Sequence, residues 1–273
     1  MQMNGSTIQI NGVDFYYEKF DHKKNVETIL LLHGFLSSTF CYRKLAPLLA
    51  NDFNVISIDY PPFGKSGKIK NFTYSYQNIA ECIIKLLTQL GYEKIYAAGH
   101  SMGGQIVLSM MQKQPDLIKK GILLCSSAYL PKMKPALTYF SYLPFFDRLI
   151  KRQLGKTGVL GNLHSVVYDQ KMIDEEMIQG YTDPFRDDQI FIALRKMIRD
   201  FEGDLKYDVL ETINNPCLLV WGENDRIVPL NLGKRLAHDL PNAKLVVFSK
   251  TGHLLPEEKP WEVYKEIRNF LCK

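Results

Sequence analysis

The hexapeptide Gly99-His100-Ser101-Met102-Gly103-Gly104 follows the β-prone run Lys94-Ile95-Tyr96-Ala97-Ala98 and precedes the apolar run Gln105-Ile106-Val107-Leu108. A strand must therefore turn into a helix within about one residue, which few backbones accommodate. The glycines flanking Ser101 allow it, because strand and helix pass too closely for side chains to stand between them. Ser101 is then left exposed at the end of a strand, a candidate nucleophile in a candidate elbow. The pattern G-x-S-x-G is short enough that ordinary glycine turns also match it, so the rest of the chain has to decide.

The surrounding chain alternates. Ile8-Gln9-Ile10 and Val13 to Glu18 are β-prone runs around Asn11-Gly12, a strong hairpin signal, and the polar Asp21 to Asn25 closes that unit. Thr28 to Leu32 is an unbroken apolar run, as expected of a strand buried on both faces, and it ends in His33-Gly34-Phe35-Leu36. A helix is predicted from Tyr42 to Ala50, a strand over Asn54 to Ile58, and a helix from Tyr76 to Leu90 with Gly91 as its stop. After the elbow helix comes a buried strand at Lys120 to Cys125. Repeated strand-helix units of this kind imply a parallel sheet covered by helices.

From about Ala128 to Leu210 the rhythm breaks. No buried strand is evident, prolines at 131, 135, 144 and 184 punctuate helical stretches, and aromatic residues cluster at Tyr129, Tyr139, Phe140, Tyr142, Phe145 and Phe146. A structureless loop of that length is implausible in a compact domain, so 128–210 is expected to be an inserted helical lid on a core formed by 1–127 and 211–273. The rhythm resumes with a strand at Cys217 to Trp221, a helix near Leu230 to Leu240, a strand at Lys244 to Phe248 and an amphipathic helix opened by Pro260.

With 273 residues, 46% of them hydrophobic, the chain can bury the core this plan requires. Its formal charge of +5 is spread along the chain, without the concentrated basic face that nucleic acid binding needs, and no nucleic acid partner is expected. No apolar run approaches the ~18 to 20 residues that span a bilayer, so stable membrane insertion is not expected. Met1 to Ser6 lacks the features of a secretory signal, and a cytoplasmic location is the expectation. The five widely spaced cysteines read as reduced thiols. No His, Cys and carboxylate cluster has metal-ligand spacing, no dinucleotide fingerprint is present, and the Gly-Lys-Ser and Gly-Lys-Thr tripeptides at 64–66 and 155–157 lack the first glycine of a phosphate loop. Neither metal nor cofactor is expected.

A serine hydroxyl is a weak nucleophile at neutral pH and needs a positioned base, itself fixed by a third group. His253 follows the last predicted strand, and Asp225 follows the strand before it, so both fall at the sheet edge where Ser101 lies. The chain order is Ser, Asp, His. His253 would carry the proton and Asp225 would hold the imidazole; Glu223 is a rival for the acid, though Asp225 lies further into the loop. The backbone N–H groups of Met102 and Phe35 are the expected oxyanion donors, since His33-Gly34-Phe35 ends a strand predicted to lie beside the elbow. Phe35, Leu36, Tyr129, Val228 and Leu254 are candidate pocket residues. The aromatic content of 128–210 suggests an apolar acyl or alcohol pocket, although packing the insertion onto the core is the commoner role of each such residue. Lys132, Lys134, Arg148, Lys151, Arg152 and Lys156 make its first half basic, which suits acidic substrates or transient contact with an anionic membrane, although a solvated face is the commoner outcome.

These segments, together with Asp59-Tyr60-Pro61-Pro62-Phe63-Gly64-Lys65-Ser66 and Gly222 to Pro229, resemble the serine hydrolases of the α/β-hydrolase superfamily over essentially the whole chain. The likeness is greatest to the lid-bearing branch of carboxylesterases, monoacylglycerol lipases and carbon–carbon bond hydrolases. It implies a mostly parallel eight-stranded sheet with helices on both faces and an inserted lid. It also implies a small-molecule ester substrate cleaved through an acyl-enzyme, with a vinylogous diketone, a thioester, or ligand binding without turnover as alternatives. The superfamily's dehalogenases and epoxide hydrolases carry an aspartate nucleophile, whereas here it is serine. Its carbon–carbon hydrolases often place asparagine before the serine and tryptophan soon after the histidine, where this chain has His100 and Leu254-Leu255.

Overall fold

In the computed structural model, which describes residues 4–20 and 26–272, the strands form one sheet in the order β1-β2-β4-β3-β5-β6-β7-β8. They are β1 (Asn4–Ile10), β2 (Val13–Phe20), β3 (Thr28–Leu32), β4 (Asn54–Asp59), β5 (Ile95–His100), β6 (Ile118–Leu124), β7 (Cys217–Gly222) and β8 (Ala243–Phe248). Strands β1 and β2 form an antiparallel hairpin that also pairs antiparallel with β4; every later pairing is parallel. Asn11 and Gly12 both have positive φ, 51° and 79°, as a two-residue hairpin turn of the correct twist requires. The polar stretch Asp21 to Asn25 lies outside the described residues.

Every residue of β3, β5 and β7 is buried, so both faces of the sheet centre are covered. The covering helices are α1 (Ala46–Leu49), α2 (Tyr76–Gln89), α3 (Met102–Lys113), α4 (Pro135–Phe140), α5 (Phe146–Val166), α6 (Glu175–Thr182), α7 (Gln189–Asp200), α8 (Tyr207–Leu210), α9 (Leu230–Asp239), α10 (Leu255–Glu258) and α11 (Pro260–Leu271). Helix α3 is buried from Met102 to Met111, which explains its lack of a polar face. The predicted helix from Tyr42 to Ala50 does not form as one piece. Pro47 in its interior would remove a hydrogen bond and clash with the preceding turn, and the segment divides into a 3-10 turn at Thr39–Tyr42 and the short α1.

Between β6 and β7, which are neighbours in the sheet, the chain leaves for helices α4 to α8 and adds no strand among the described residues. Asp204 ties the two ends of this excursion together: its carboxylate accepts from Ser127 Oγ at 2.8 Å and from the Leu130 amide at 3.0 Å, and its own amide donates to the Leu130 carbonyl. Four cysteines are buried, Cys272 is exposed, and none of the five is in a disulfide.

The elbow is where packing is tightest. A Cβ on Gly99 would overlap the Gly103 carbonyl, and one on Gly103 would overlap the Leu32 carbonyl of β3. Overpacking of this kind typically costs about 1–3 kcal/mol, so Gly103→Ala is expected to lower the unfolding free energy measured by urea denaturation by an amount in that range. Gly155→Ala, in α5 where a Cβ meets open space, should instead leave the unfolding free energy unchanged or raise it by up to about 1 kcal/mol.

Candidate active site

Ser101 joins β5 to α3 with φ 52° and ψ −119°, outside the regions L-residues prefer. Its amide donates to the Leu124 carbonyl at 2.9 Å, and its carbonyl accepts from the amides of Gly104 and Ser127, both at 2.9 Å. These bonds hold the backbone so that the half-buried side chain stands at the carboxyl edge of the sheet.

His253 reaches the same edge from the loop after β8. Its Nδ1–H donates to Asp225 Oδ2 at 2.7 Å, which leaves Nε2 as the ring's basic nitrogen. The other Asp225 oxygen accepts from the amides of Ile227 at 2.8 Å and Val228 at 2.9 Å, and Trp221 Nε1 closes the same loop on the Val228 carbonyl at 2.9 Å. Burial pushes the Asp225 carboxyl up, but the His253 hydrogen bond and charge, with these two amides, outweigh it and hold the group below its ordinary value. Glu223 is exposed, and Asp225 is the acid that meets His253.

Three further contacts fix the histidine. The His253 amide donates to the Val166 carbonyl at the end of α5 at 2.7 Å. Its carbonyl accepts from His100 Nε2 at 2.8 Å, which requires the His100 proton on that nitrogen, and the two rings lie 4.8 Å apart. Glu258 braces the approach by accepting from the amides of Gly252 at 2.9 Å and Tyr168 at 2.8 Å. Sequence reasoning treats His100 only as the variable residue of the elbow. Its place as the last residue of β5, beside the nucleophile, is the signal that would have found it.

Gly34 packs against this corner, where a Cβ would lie 3.0 Å from His100 Nδ1 and 3.2 Å from Ser101 Cβ, so Phe35 follows directly beside the serine. Met102 is the first residue of α3, and its N–H is one of the amides a helix leaves without an internal partner. The Gly64-Lys65-Ser66 turn is folded around Asp59, whose carboxylate accepts from the amides of Thr39 at 2.6 Å and Lys65 at 2.8 Å.

Phe35, Ser101, Met102 and Val228 share one cavity of about 890 Å³. The rest of its wall is mostly apolar, including Leu137, Phe146, Leu149, Leu154, Leu194 and Met197. The other candidate pocket residues lie elsewhere. Leu36 is packed on the core; Leu254 is buried with its amide directed at the Val166 carbonyl. Tyr129 lines a separate cavity of about 580 Å³ and donates its hydroxyl to Asp239 at 2.7 Å. Cys125, Asp225 and His253 have donor atoms within 4.8 Å of one another, a grouping the sequence spacing does not show. The Asp225 and His253 donors are engaged as described, and Cys125 Sγ accepts from the Gly222 amide at 3.4 Å.

The chain belongs to the α/β-hydrolase fold family, whose model matches residues 27–166 and 174–260. It is a hydrolase. It is 47% identical over 262 residues to the hydrolase YugF of Bacillus subtilis (strain 168), covering 96% of each chain. A 2-hydroxy-6-oxononadienedioate/2-hydroxy-6-oxononatrienedioate hydrolase of Dechloromonas aromatica (strain RCB) is 26% identical, with 97% of this chain and 93% of the relative covered. Among solved structures, a thermophilic esterase from Thermogutta terrifontis superposes with a TM-score of 0.80 at 22% identity over 98% of both chains. Among the described residues, no helix is long and apolar enough to cross a membrane.

Three buried groups contribute to the acid limb of stability. Burial lowers both His33 and His100 to about 3, so the fold keeps them neutral; it raises Asp59 to about 6. The neutral imidazoles stabilise the fold fully above their unfolded pKa of about 6.5 and lose that contribution as pH falls toward 3. Asp59 acts in the opposite sense, its burial penalty being relieved as pH falls from about 6 toward 3.8. Asp204 and Glu258, both raised chiefly by burial, act in the same sense as Asp59, so the imidazole contribution is read by difference. The stability lost between about pH 6 and pH 4.5 in urea denaturation should therefore be smaller in His33→Gln than in wild type, by roughly 1 kcal/mol per pH unit; an equal pH dependence would show that His33 is not held neutral.

Proposed function

We propose that this chain is a cofactor-independent serine hydrolase that cleaves carboxylic esters with an apolar acyl or alcohol part through an acyl-enzyme on Ser101. The observation that carries this reading is the 890 Å³ cavity, in which Ser101 meets a largely apolar wall, together with a histidine at the same sheet edge whose Nδ1–H is bonded to a buried carboxylate. In the reaction, His253 Nε2 takes the Ser101 proton as Oγ attacks the ester carbonyl, and the new C–O bond forms as charge moves to the carbonyl oxygen. The N–H groups of Met102 and Phe35 receive that charge. His253 then protonates the leaving alcohol and activates the water that releases the acid. Asp225 holds the tautomer and stabilises the imidazolium. Residues 128–210 act as the lid over a core of 1–127 and 211–273, and supply most of the acyl wall.

A carbon–carbon bond hydrolase with the same three residues is the second reading, favoured by the name of the Dechloromonas relative. Its substrate is a dioate, and burying a carboxylate calls for a paired cation. The cations lining this cavity, Lys132 and Lys134, are both exposed, which favours the neutral ester.

A fluorophosphonate probe should label Ser101 covalently and leave Ser101→Ala unlabelled. Along a p-nitrophenyl ester series, kcat/KM should rise about fourfold per methylene until the cavity is filled, given about 0.8 kcal/mol per buried CH₂. Ser101→Ala should reduce kcat by on the order of 10⁴-fold or more. Faster turnover of a vinylogous diketone or an acyl thioester than of any ester would transfer the assignment to that bond, and saturable ester binding without labelling or turnover would refute catalysis altogether.

A further inference from the structure

Helix α4 and the turn after it are apolar, yet α4 buries none of its residues. Tyr139 is 72% exposed, Phe140 52%, Tyr142 66% and Phe145 62%, and Leu143 and Leu149 are exposed beside them. Scattered surface aromatics need no explanation, but a contiguous group of this size on one segment does. Nor is the segment loosely attached: buried Ser141 accepts from Arg199 Nε at 2.9 Å, its carbonyl accepts from Arg199 Nη2, and the guanidinium stacks over Tyr142 with its carbon 4.0 Å from the ring centre. A polar anchor thus holds the backbone while the rings face outward.

In the segment that carries the patch, cations outnumber carboxylates. Between residues 128 and 160 the chain carries six cations, Lys132, Lys134, Arg148, Lys151, Arg152 and Lys156, against the single carboxylate of Asp147, which is paired with Arg195 at 3.1 Å. Lys151 is matched by Asp188 at 2.6 Å, and Arg148 lies over the Phe145 ring. Exposed aromatic and leucine side chains among excess Lys and Arg are the chemistry that inserts shallowly into an anionic lipid surface. The patch is also continuous with the cavity: Lys134, Leu137 and Leu149 belong to both.

We infer that the α4 segment docks the protein on an anionic lipid bilayer, so that the cavity mouth faces the membrane. Resting on the ester-hydrolase reading above, this placement has the substrate drawn from the lipid rather than from water.

The test is flotation with vesicles of phosphatidylglycerol and of phosphatidylcholine, using wild type and Ser101→Ala so that binding is read apart from turnover. Both proteins should float with phosphatidylglycerol, at least about tenfold less with phosphatidylcholine, and progressively less as salt shortens the screening length to about 3 Å near 1 M. Tyr139→Ser/Phe140→Ser and, separately, Arg152→Glu/Lys156→Glu should each lower vesicle binding at least about tenfold while fluorophosphonate labelling and turnover of a soluble p-nitrophenyl ester stay at the wild-type level. Equal binding by wild type and both variants overturns the proposal, as does no binding at low salt. A wild-type dimer that Tyr139→Ser/Phe140→Ser converts to monomer in sedimentation would also overturn it, assigning the patch to a second copy. Loss of labelling in wild type would refute the Ser101 chemistry and leave the flotation result standing.

Discussion

The close approach of α3 to the end of β3 is the constraint from which the rest of the site follows. Gly103 lies against the Leu32 carbonyl and Gly99 against the Gly103 carbonyl, so no side chain fits at either position. With the helix this near the sheet, the connecting residue has no room for an ordinary turn, and Ser101 takes a positive φ. Its strain is held by three backbone hydrogen bonds, to Leu124, Gly104 and Ser127, rather than by its own side chain. The side chain is thereby left unencumbered in the cavity while the backbone is over-determined.

The same corner explains why histidines are buried where ionisation is unwelcome. His33 stacks on Tyr60 with ring centres 4.2 Å apart, and the Tyr60 hydroxyl donates to the His33 carbonyl at 2.8 Å. His100 holds the His253 carbonyl. Neither ring has solvent to support a charge, so each acts as a fixed dipole whose tautomer is set by one carbonyl acceptor. A proton on either ring would replace a neutral brace by an unpaired buried cation, and on His100 that cation would lie beside His253.

Much of this was legible in the chain, and the limits have physical causes. Asn11-Gly12 marked its hairpin because both positions need positive φ; Thr28 to Leu32 marked a central strand because it is apolar on both faces. Ser101, Asp225 and His253 could be placed at strand ends, which are local features, and they follow β5, β7 and β8 in the structure. Pro47 should have warned against one helix from Tyr42 to Ala50. The cavity wall was less legible: Phe35 and Val228 adjoin the sheet edge and line the larger cavity, whereas Leu36 and Leu254 pack on the core and Tyr129 lines the smaller one. Which side of a loop residue faces a cavity depends on how the insertion sits, and that is settled by distant partners such as Asp204 and Arg199. Nor does spacing in sequence reveal that Tyr139 and Phe140 avoid the core.

The hydrogen bond from the His253 amide to the Val166 carbonyl joins the base to the last residue of α5. The helical insertion is therefore not a detachable module. A chimaera that exchanged it wholesale to change substrate preference would also exchange one of the bonds that hold the His253 backbone. Successful grafts should keep residues 166–168 with the recipient core, so that Val166 still meets His253 and Tyr168 still meets Glu258. Selectivity and turnover are thus heritable together in this chain, which narrows the substitutions by which it can acquire a new substrate to those on the insertion's inner wall.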